Sequence, residues 1–180
     1  MRIVAGKHKG MTLNTFDAGN IRPTIDRVRE AIFSKIQFGI KDALVLDLFG
    51  GTGAISLEFL SRGAQRVITV DNNKNSIRLI TENFKKAGEK PDLYECDYLV
   101  ALGKFVSMEF DYIYLDPPFD TDYATIAMQV IASSELLKNT GMIIYEHAVN
   151  KHFSIPNGYI ILDEKKYGTV EVTYIGRKDD

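Results

Sequence analysis

Apolar residues along this chain gather in five short runs, at 43–48, 66–70, 91–95, 111–115 and 141–145. Between them lie stretches at 54–62, 73–87 and 123–137 where apolar positions recur at helical spacing, such as Ile55, Leu57, Phe59 and Leu60. Short apolar runs alternating with helical patterns predict an α/β, doubly wound, mostly parallel sheet with its ligand at the strand C-terminal edge. Two further runs, Tyr159–Leu162 and Val170–Ile175, flank charged residues and Tyr167-Gly168. They predict a C-terminal antiparallel hairpin and a total of seven strands. At the front, Arg2–Ala5 and Met11–Phe16 surround Gly6 and Gly10 and predict a small β-hairpin. Thr24 is expected to cap an amphipathic helix carrying Ile25, Val28, Ile32, Phe33 and Ile36. With no repeat, linker or low-complexity tract, 1–180 is expected to be one domain, with a 1–38 extension ahead of a 39–180 core.

Chemistry concentrates where these strands end. Asp116-Pro117-Pro118-Phe119 follows the apolar run Tyr112–Leu115. Each proline keeps its predecessor out of the helical region and lacks an N–H, so nearby carbonyls stay available to a ligand. A carboxylate, a free carbonyl and a flat ring suit an exocyclic amino group on a nucleobase: two acceptors for its N–H bonds and a face for stacking. Upstream, the run 43–48 enters the glycine turn Phe49-Gly50-Gly51-Thr52-Gly53 ahead of a helical pattern. Such a turn lets backbone approach a ligand and presents N–H groups at a helix start. Asp71, ending the next strand, is placed to accept hydrogen bonds from ribose hydroxyls. The dinucleotide pattern G-x-G-x-x-G fails at Ser56, and no P-loop is present. Asp47, at the end of the first strand, suits a cationic partner, so an adenosine bearing a sulfonium and an ammonium fits better than a pyrophosphate.

Asp47-Leu-Phe-Gly-Gly-Thr-Gly53, Asp71 and Asp116-Pro-Pro-Phe119 resemble motifs of class I S-adenosylmethionine-dependent methyltransferases that modify exocyclic amines. Met1-Arg-Ile-Val-Ala-Gly6, Lys9-Gly10, Arg22-Pro-Thr-Ile-Asp-Arg-Val-Arg-Glu30, Glu58-Phe-Leu-Ser-Arg-Gly-Ala64 and Lys166-Tyr-Gly168 more narrowly resemble the bacterial small-subunit (16S) ribosomal RNA guanine-N2 methyltransferases. The resemblance covers essentially the whole chain. It implies a Rossmann-like core and methyl transfer from S-adenosylmethionine, leaving S-adenosylhomocysteine, to a guanine N2 amine. The substrate it implies is an assembled or partly assembled small subunit. Asp116, Pro117, Pro118 and Phe119 would then be catalytic. Arg22, Thr24, Asp47, Phe49, Gly50, Gly51, Gly53, Asp71, Asn72, Asp97 and Tyr98 would hold the cofactor. Asp97 is expected either to accept the adenine amino group or to cap the next helix, and Asn72 and Asn73 either edge the pocket or begin a helix. Arg22 is expected on the methionine carboxylate or on an RNA phosphate. Two departures, Asp71 where the family often has Glu and Gly51 where it often has Ala, keep the chemistry. Adenine-N6 methylation, which the same pocket serves, and a non-catalytic RNA-binding assembly module are the alternatives. Protein glutamine methylation is disfavoured because it usually shows Asn where Asp116 stands.

Charge adds to this picture. Residues 1–35 hold seven basic side chains against three acidic ones, a net of +4 within a chain of net −2, so the remainder carries −6. A basic front on an acidic body fits local contact with RNA phosphates, and Lys7, Lys9, Arg27, Arg29 and, beside Gly168, Tyr167 are the expected RNA contacts. The single Cys96, read as a buried strand-end residue, excludes an internal disulfide, fits a reducing cytosol and weakens a C5-pyrimidine mechanism, which needs a cysteine nucleophile. His8, His147 and His152 are isolated, so no metal is expected. With no apolar run near membrane-span length, a cytoplasmic monomer is the expectation.

Overall fold

The structure, a computed structural model, describes residues 1–16 and 23–178, with side chains omitted for 23–25. Its elements are α1 (Pro23–Ile36), a single 3-10 turn (Gln37–Gly39), β1 (Leu44–Asp47), α2 (Ala54–Ser61), β2 (Arg66–Asp71), α3 (Lys74–Ala87) and β3 (Asp92–Glu95). They continue through α4 (Tyr98–Lys104), β4 (Phe110–Leu115), α5 (Tyr123–Ser133), β5 (Leu137–Ala148), β6 (Tyr159–Tyr167) and β7 (Val170–Arg177). The seven strands form one sheet in the order β3-β2-β1-β4-β5-β7-β6. The first five are mutually parallel, and β7 runs antiparallel to both β5 and β6. The expected doubly wound architecture and its C-terminal antiparallel pair are therefore present.

Apolar residues on both faces of the central strands explain why the sheet is covered on two sides. Ile113 and Leu115 of β4 pack with Ala101, Leu102, Ala127 and Ile131 of α4 and α5. Tyr114, pointing the other way, joins Val28, Ile32, Phe33 and Ile36 of α1. The helix spacing from Val28 to Ile36 thus marks a buried face. α3 begins at Asn73, whose side chain accepts from the N–H groups of Asn75 (2.8 Å) and Ser76 (3.3 Å), and ends at Gly88 with φ 69°. Asn73→Ala is expected to cost about 1 kcal/mol by removing this cap, read as a lower urea midpoint with an unchanged slope.

Several local expectations differ from the structure. The N-terminal lobe has only one antiparallel bridge, Arg2 to Thr12, rather than two strands. The N–H groups of Val4 and Ala5 instead donate to the Glu58 carboxylate of α2 at 2.8 and 3.1 Å, which consumes the donors a hairpin ladder would need. Pro23 begins α1 and places Thr24 inside its first turn, so Thr24 is not the cap; proline suits that first helical position because its missing N–H is not needed there. α5 stops at Ser133 rather than at 137, since Glu135 takes a left-handed φ of 52° and Leu137 already pairs with Phe110 at the start of β5. α4, the helix that Asp97 caps, had no range in the periodicity because seven residues are too few to show a clear period. Cys96 lies just past the end of β3 and is only partly buried.

Candidate active site

The C-terminal ends of β1, β2 and β4 converge on a cleft of about 400 Å³. Phe49 and Gly51 of the glycine turn line it, together with Asp71 and Asn72 after β2, Asp97 and Tyr98 at the start of α4, and the whole of Asp116–Phe119. Tyr123 of α5 completes an aromatic group, its ring centroid 5.0 Å from Tyr98 and 6.5 Å from Phe49. Gly51, at φ 57°, takes the left-handed conformation that glycine allows, and a Cβ there would meet no protein atom within 4 Å. The turn is tied to the cleft wall by Asp71, whose Oδ2 accepts from Gly51 N–H at 2.9 Å and whose Oδ1 accepts from Asn73 N–H at 2.8 Å. A carboxylate has about four acceptor sites, so Asp71 retains capacity for hydroxyl donors in the cleft. Asp97 is at once a helix cap, accepting from Leu99 N–H at 2.8 Å, and a residue lining the cleft. Asn73 likewise both caps α3 and edges the cleft.

A second cavity of about 280 Å³ opens on the α1 and α2 side of the sheet edge, and Phe49, Gly51 and Asp116 line both spaces. Asp116 therefore stands on the wall between them. Neither of its carboxylate oxygens, nor the carbonyl of Pro117, accepts a hydrogen bond from any of the described residues. Phe119, 53% exposed, is held at the rim through Lys151, whose Nζ donates to its carbonyl at 3.0 Å. Asp116 is exposed where it opens onto the two cavities, and desolvation by the surrounding protein, then the nearby Glu146 and Asp47, raises its pKa well above the carboxylate range.

Four expected site residues are placed differently. Asp47 is 1% exposed and reaches neither cavity; it lies beneath the turn, where its Oδ2 accepts from Ser56 Oγ at 2.6 Å. Burial pushes its pKa up to about 6 against the Ser56 hydrogen bond, with Asp71 adding to the rise. Gly53 also lines neither cavity, because its N–H is spent on the Gly50 carbonyl at 2.8 Å and its φ of 78° serves to start α2. Gly50 faces the second cavity rather than the cleft. Arg29 is 3% exposed, donating to the Arg2 carbonyl and to Asp26, and so is withdrawn from the RNA-facing surface by its position on the buried side of α1. Of the other expected RNA contacts, Lys9 and Arg27 are exposed, Lys7 pairs with Glu89, and Tyr167 packs against the apolar cluster under α1 without lining either cavity. Arg22 lies outside the described residues, as does the side chain of Thr24.

In the sequence Glu146-His147 reads as a capped strand end rather than a site, and Tyr123 does not stand out. Glu146 ends the apolar run of β5 and accepts from Tyr114 OH at 2.6 Å on the second cavity's wall; a lone acid after Met142–Tyr145 was its only signal. Tyr123 gave no signal beyond an aromatic at a helix start. His8, read as isolated, has its Nε2 2.8 Å from Glu89. Among the described residues no group of three or more His, Cys, Asp or Glu could hold a metal ion, and no helix is long and apolar enough to cross a membrane.

The family model described as Conserved hypothetical protein 95 matches residues 1–176. The chain belongs to this family. It is 31% identical over 179 residues to "Putative rRNA methyltransferase YlbH" of Bacillus subtilis, covering 96% of each chain. It is 30% identical over 174 residues to "Ribosomal RNA small subunit methyltransferase D" of Haemophilus influenzae, covering 94% of this chain and 90% of that one. Among solved structures, "Putative methyltransferase yhhF from Escherichia coli" superposes with a TM-score of 0.86 at 23% identity, covering 100% and 99% of the two chains. The resemblance read from the glycine turn, D-P-P-F and the N-terminal block is borne out, and the Conserved hypothetical protein 95 fold is that of its methyltransferase neighbours.

Proposed function

We propose that this protein transfers a methyl group from S-adenosylmethionine to the exocyclic N2 amine of a guanine in small-subunit ribosomal RNA. The observation that carries the reading is the pair of unengaged acceptors at the cleft, the Asp116 carboxylate on the wall between the two cavities and the carbonyl of the cleft-lining Pro117. The cleft suits the cofactor on its own chemistry. Phe49, Tyr98 and Tyr123 offer faces for a purine, Asp71 keeps acceptor capacity for ribose hydroxyls, and Asp97 has a second oxygen for an amino group. The bound sulfonium would supply an already activated methyl group. The names of the relatives support ribosomal RNA as the acceptor class.

A guanine amine is a poor nucleophile because its lone pair is delocalised into the ring. If Asp116 and Pro117 O accept its two N–H bonds, the lone pair is turned toward the donor carbon and the positive charge developing on nitrogen is stabilised. The proton that must then leave passes to Asp116, whose raised affinity for a proton suits the task. Most of the acceleration comes from alignment, and neither a covalent intermediate nor a metal is required. The base must be unpaired or flipped to enter. Exposed Lys9 and Arg27 would meet phosphates of an assembled or partly assembled small subunit, to which the protein binds as a cytoplasmic monomer with residues 1–38 facing the RNA.

The test is transfer of labelled methyl to small subunits that lack the mark, with the product identified by nucleoside mass spectrometry. N2-methylguanosine is expected; N6-methyladenosine, or no incorporation, overturns the reading. Phe119→Ala is expected to raise the RNA KM about 10-fold, as loss of one stacked base costs about 1–3 kcal/mol, with S-adenosylhomocysteine affinity by calorimetry nearly unchanged.

A further inference from the structure

The second cavity holds a carboxylate that the mechanism above does not use. β4 and β5 are in register at Leu115 and Tyr145, so Asp116 and Glu146 follow as neighbours on adjacent strands. Tyr114 and Ile144, two residues earlier, both face the α1 side, and continuing the alternation puts the two acids on that same face. Adjacent strands lie about 4.8 Å apart, close enough for side chains of unequal length, Asp and Glu, to converge on neighbouring donors along one edge of a base. Glu146 is also held in one orientation. Tyr114 OH donates to its Oε2 at 2.6 Å, while Oε1 has no partner among the described residues. Arg29, brought over this edge by α1, lines the same cavity and has Nε and Nη1 without hydrogen-bond partners among the described residues. Burial raises the Glu146 pKa above the ordinary carboxylate value, and the Tyr114 hydrogen bond and then the Arg29 charge oppose that rise.

We infer that Glu146 is the specificity-determining residue that selects guanine, its carboxylate accepting the N1–H while Asp116 accepts from the adjacent N2 amine. This rests on the guanine reading proposed above. The Watson–Crick edge of guanine presents N1–H and N2–H side by side as donors. Adenine presents an amine next to an unprotonated N1, whose lone pair would face the Glu146 oxygen, so the same pocket repels it. Tyr114 is a positioning residue that acts through Glu146, and Arg29 places a positive charge beside the same acid.

2-Aminopurine separates the two parts of the claim, because it keeps the N2 amine but carries an unprotonated N1. Small-subunit RNA with guanine or 2-aminopurine at the position methylated by the wild type is the probe. The wild type should favour guanine by about 100-fold in kcat/KM, within the range by which hydrogen-bonding sites reject analogues lacking a partner. Glu146→Gln keeps the oxygen toward Tyr114 OH and turns an N–H toward the base. It should lose about 30-fold on guanine, as for one well-formed base contact, while gaining on 2-aminopurine. Glu146→Ala should lose on guanine alone and so also collapse the preference. Calorimetric binding of S-adenosylhomocysteine and thermal melting confirm that each variant is folded. If the variants keep the wild-type preference, or lose equally on both acceptors, Glu146 does not read the base. If the wild type itself fails to form N2-methylguanosine, the underlying guanine reading falls with it, and only that arm reports so.

Discussion

Alanine at Asp116 is expected to lower kcat by about 1,000-fold, while S-adenosylhomocysteine binds within a few-fold of its wild-type affinity. The acid touches no protein donor among the described residues, so its removal breaks no structural hydrogen bond. The residue is exposed to the cavities, so the variant should melt close to the wild type. The loss is therefore chemical and not structural. Asp116→Asn separates two contributions. It retains one acceptor for the amine but cannot take up the proton, and about 100-fold should be lost. The pH dependence follows from direction alone. Burial first, then Glu146 and Asp47, lift the Asp116 pKa, and a protonated Asp116 offers the amine a donor in place of an acceptor. Activity should thus fall as pH drops through that raised value, at a pH above the ordinary carboxylate range. The limb should flatten in Asp116→Asn. A wild-type profile flat between about pH 5 and 8, or an Asp116→Ala enzyme of near-normal kcat, would remove this acid from the reaction.

What could be read from the chain beforehand follows a physical rule. Strands buried on both faces are continuous apolar runs, so β1, β2, β4 and β5 were visible as such, and residues that end them, Asp71 and Asp116, could be placed at one edge by topology alone. The Glu58 clamp could not. It joins residues more than fifty positions apart, and nothing local distinguishes a buried helical Glu from a solvated one. The same blindness misled the reading of Arg29. A cationic residue in a basic segment resembles a phosphate contact until the helix face it occupies is known, and here that face turns it over Glu58 and the second cavity. Asp47 shows a subtler version. Its position at the strand end was right, but whether a strand-end acid points into a cleft or beneath the turn depends on the pleat, and Ser56 draws it beneath. Glu146 was legible only as an oddity, an acid closing an apolar run, because its significance comes from the strand beside it.

Asp47→Asn is expected to make the ligand-free protein more stable and the cofactor complex weaker. An acid whose pKa rises on folding, here from 3.8 to about 6, binds its proton more tightly in the native state. The folded protein then loses stability relative to the unfolded chain as pH rises from about 4 through about 6, the two values between which protonation differs. At 1.36 kcal/mol per pH unit the penalty above that window reaches about 3 kcal/mol. Asparagine removes it. The amide oxygen can still accept from Ser56 Oγ, but an amide answers the backbone donors of Ser56 and Phe49 less well than a carboxylate, which returns about 1 kcal/mol. The variant should accordingly gain about 2 kcal/mol at pH 8 and none, or a slight loss, at pH 4.5, measured as a shift in urea midpoint. Why the protein keeps so costly a charge is answered by its location. Asp47 lies under the turn that forms the cleft's edge, with Asp71 close enough to raise its pKa, so the two acids make that edge negative. A sulfonium and an ammonium bound in the cleft beside Gly51 would be held by this field without touching Asp47, and its loss should weaken S-adenosylmethionine about 10-fold while S-adenosylhomocysteine, lacking the sulfonium charge, loses less. Equal loss for the two ligands, or no stability gain at pH 8, would show that Asp47 serves the turn's geometry and not its field.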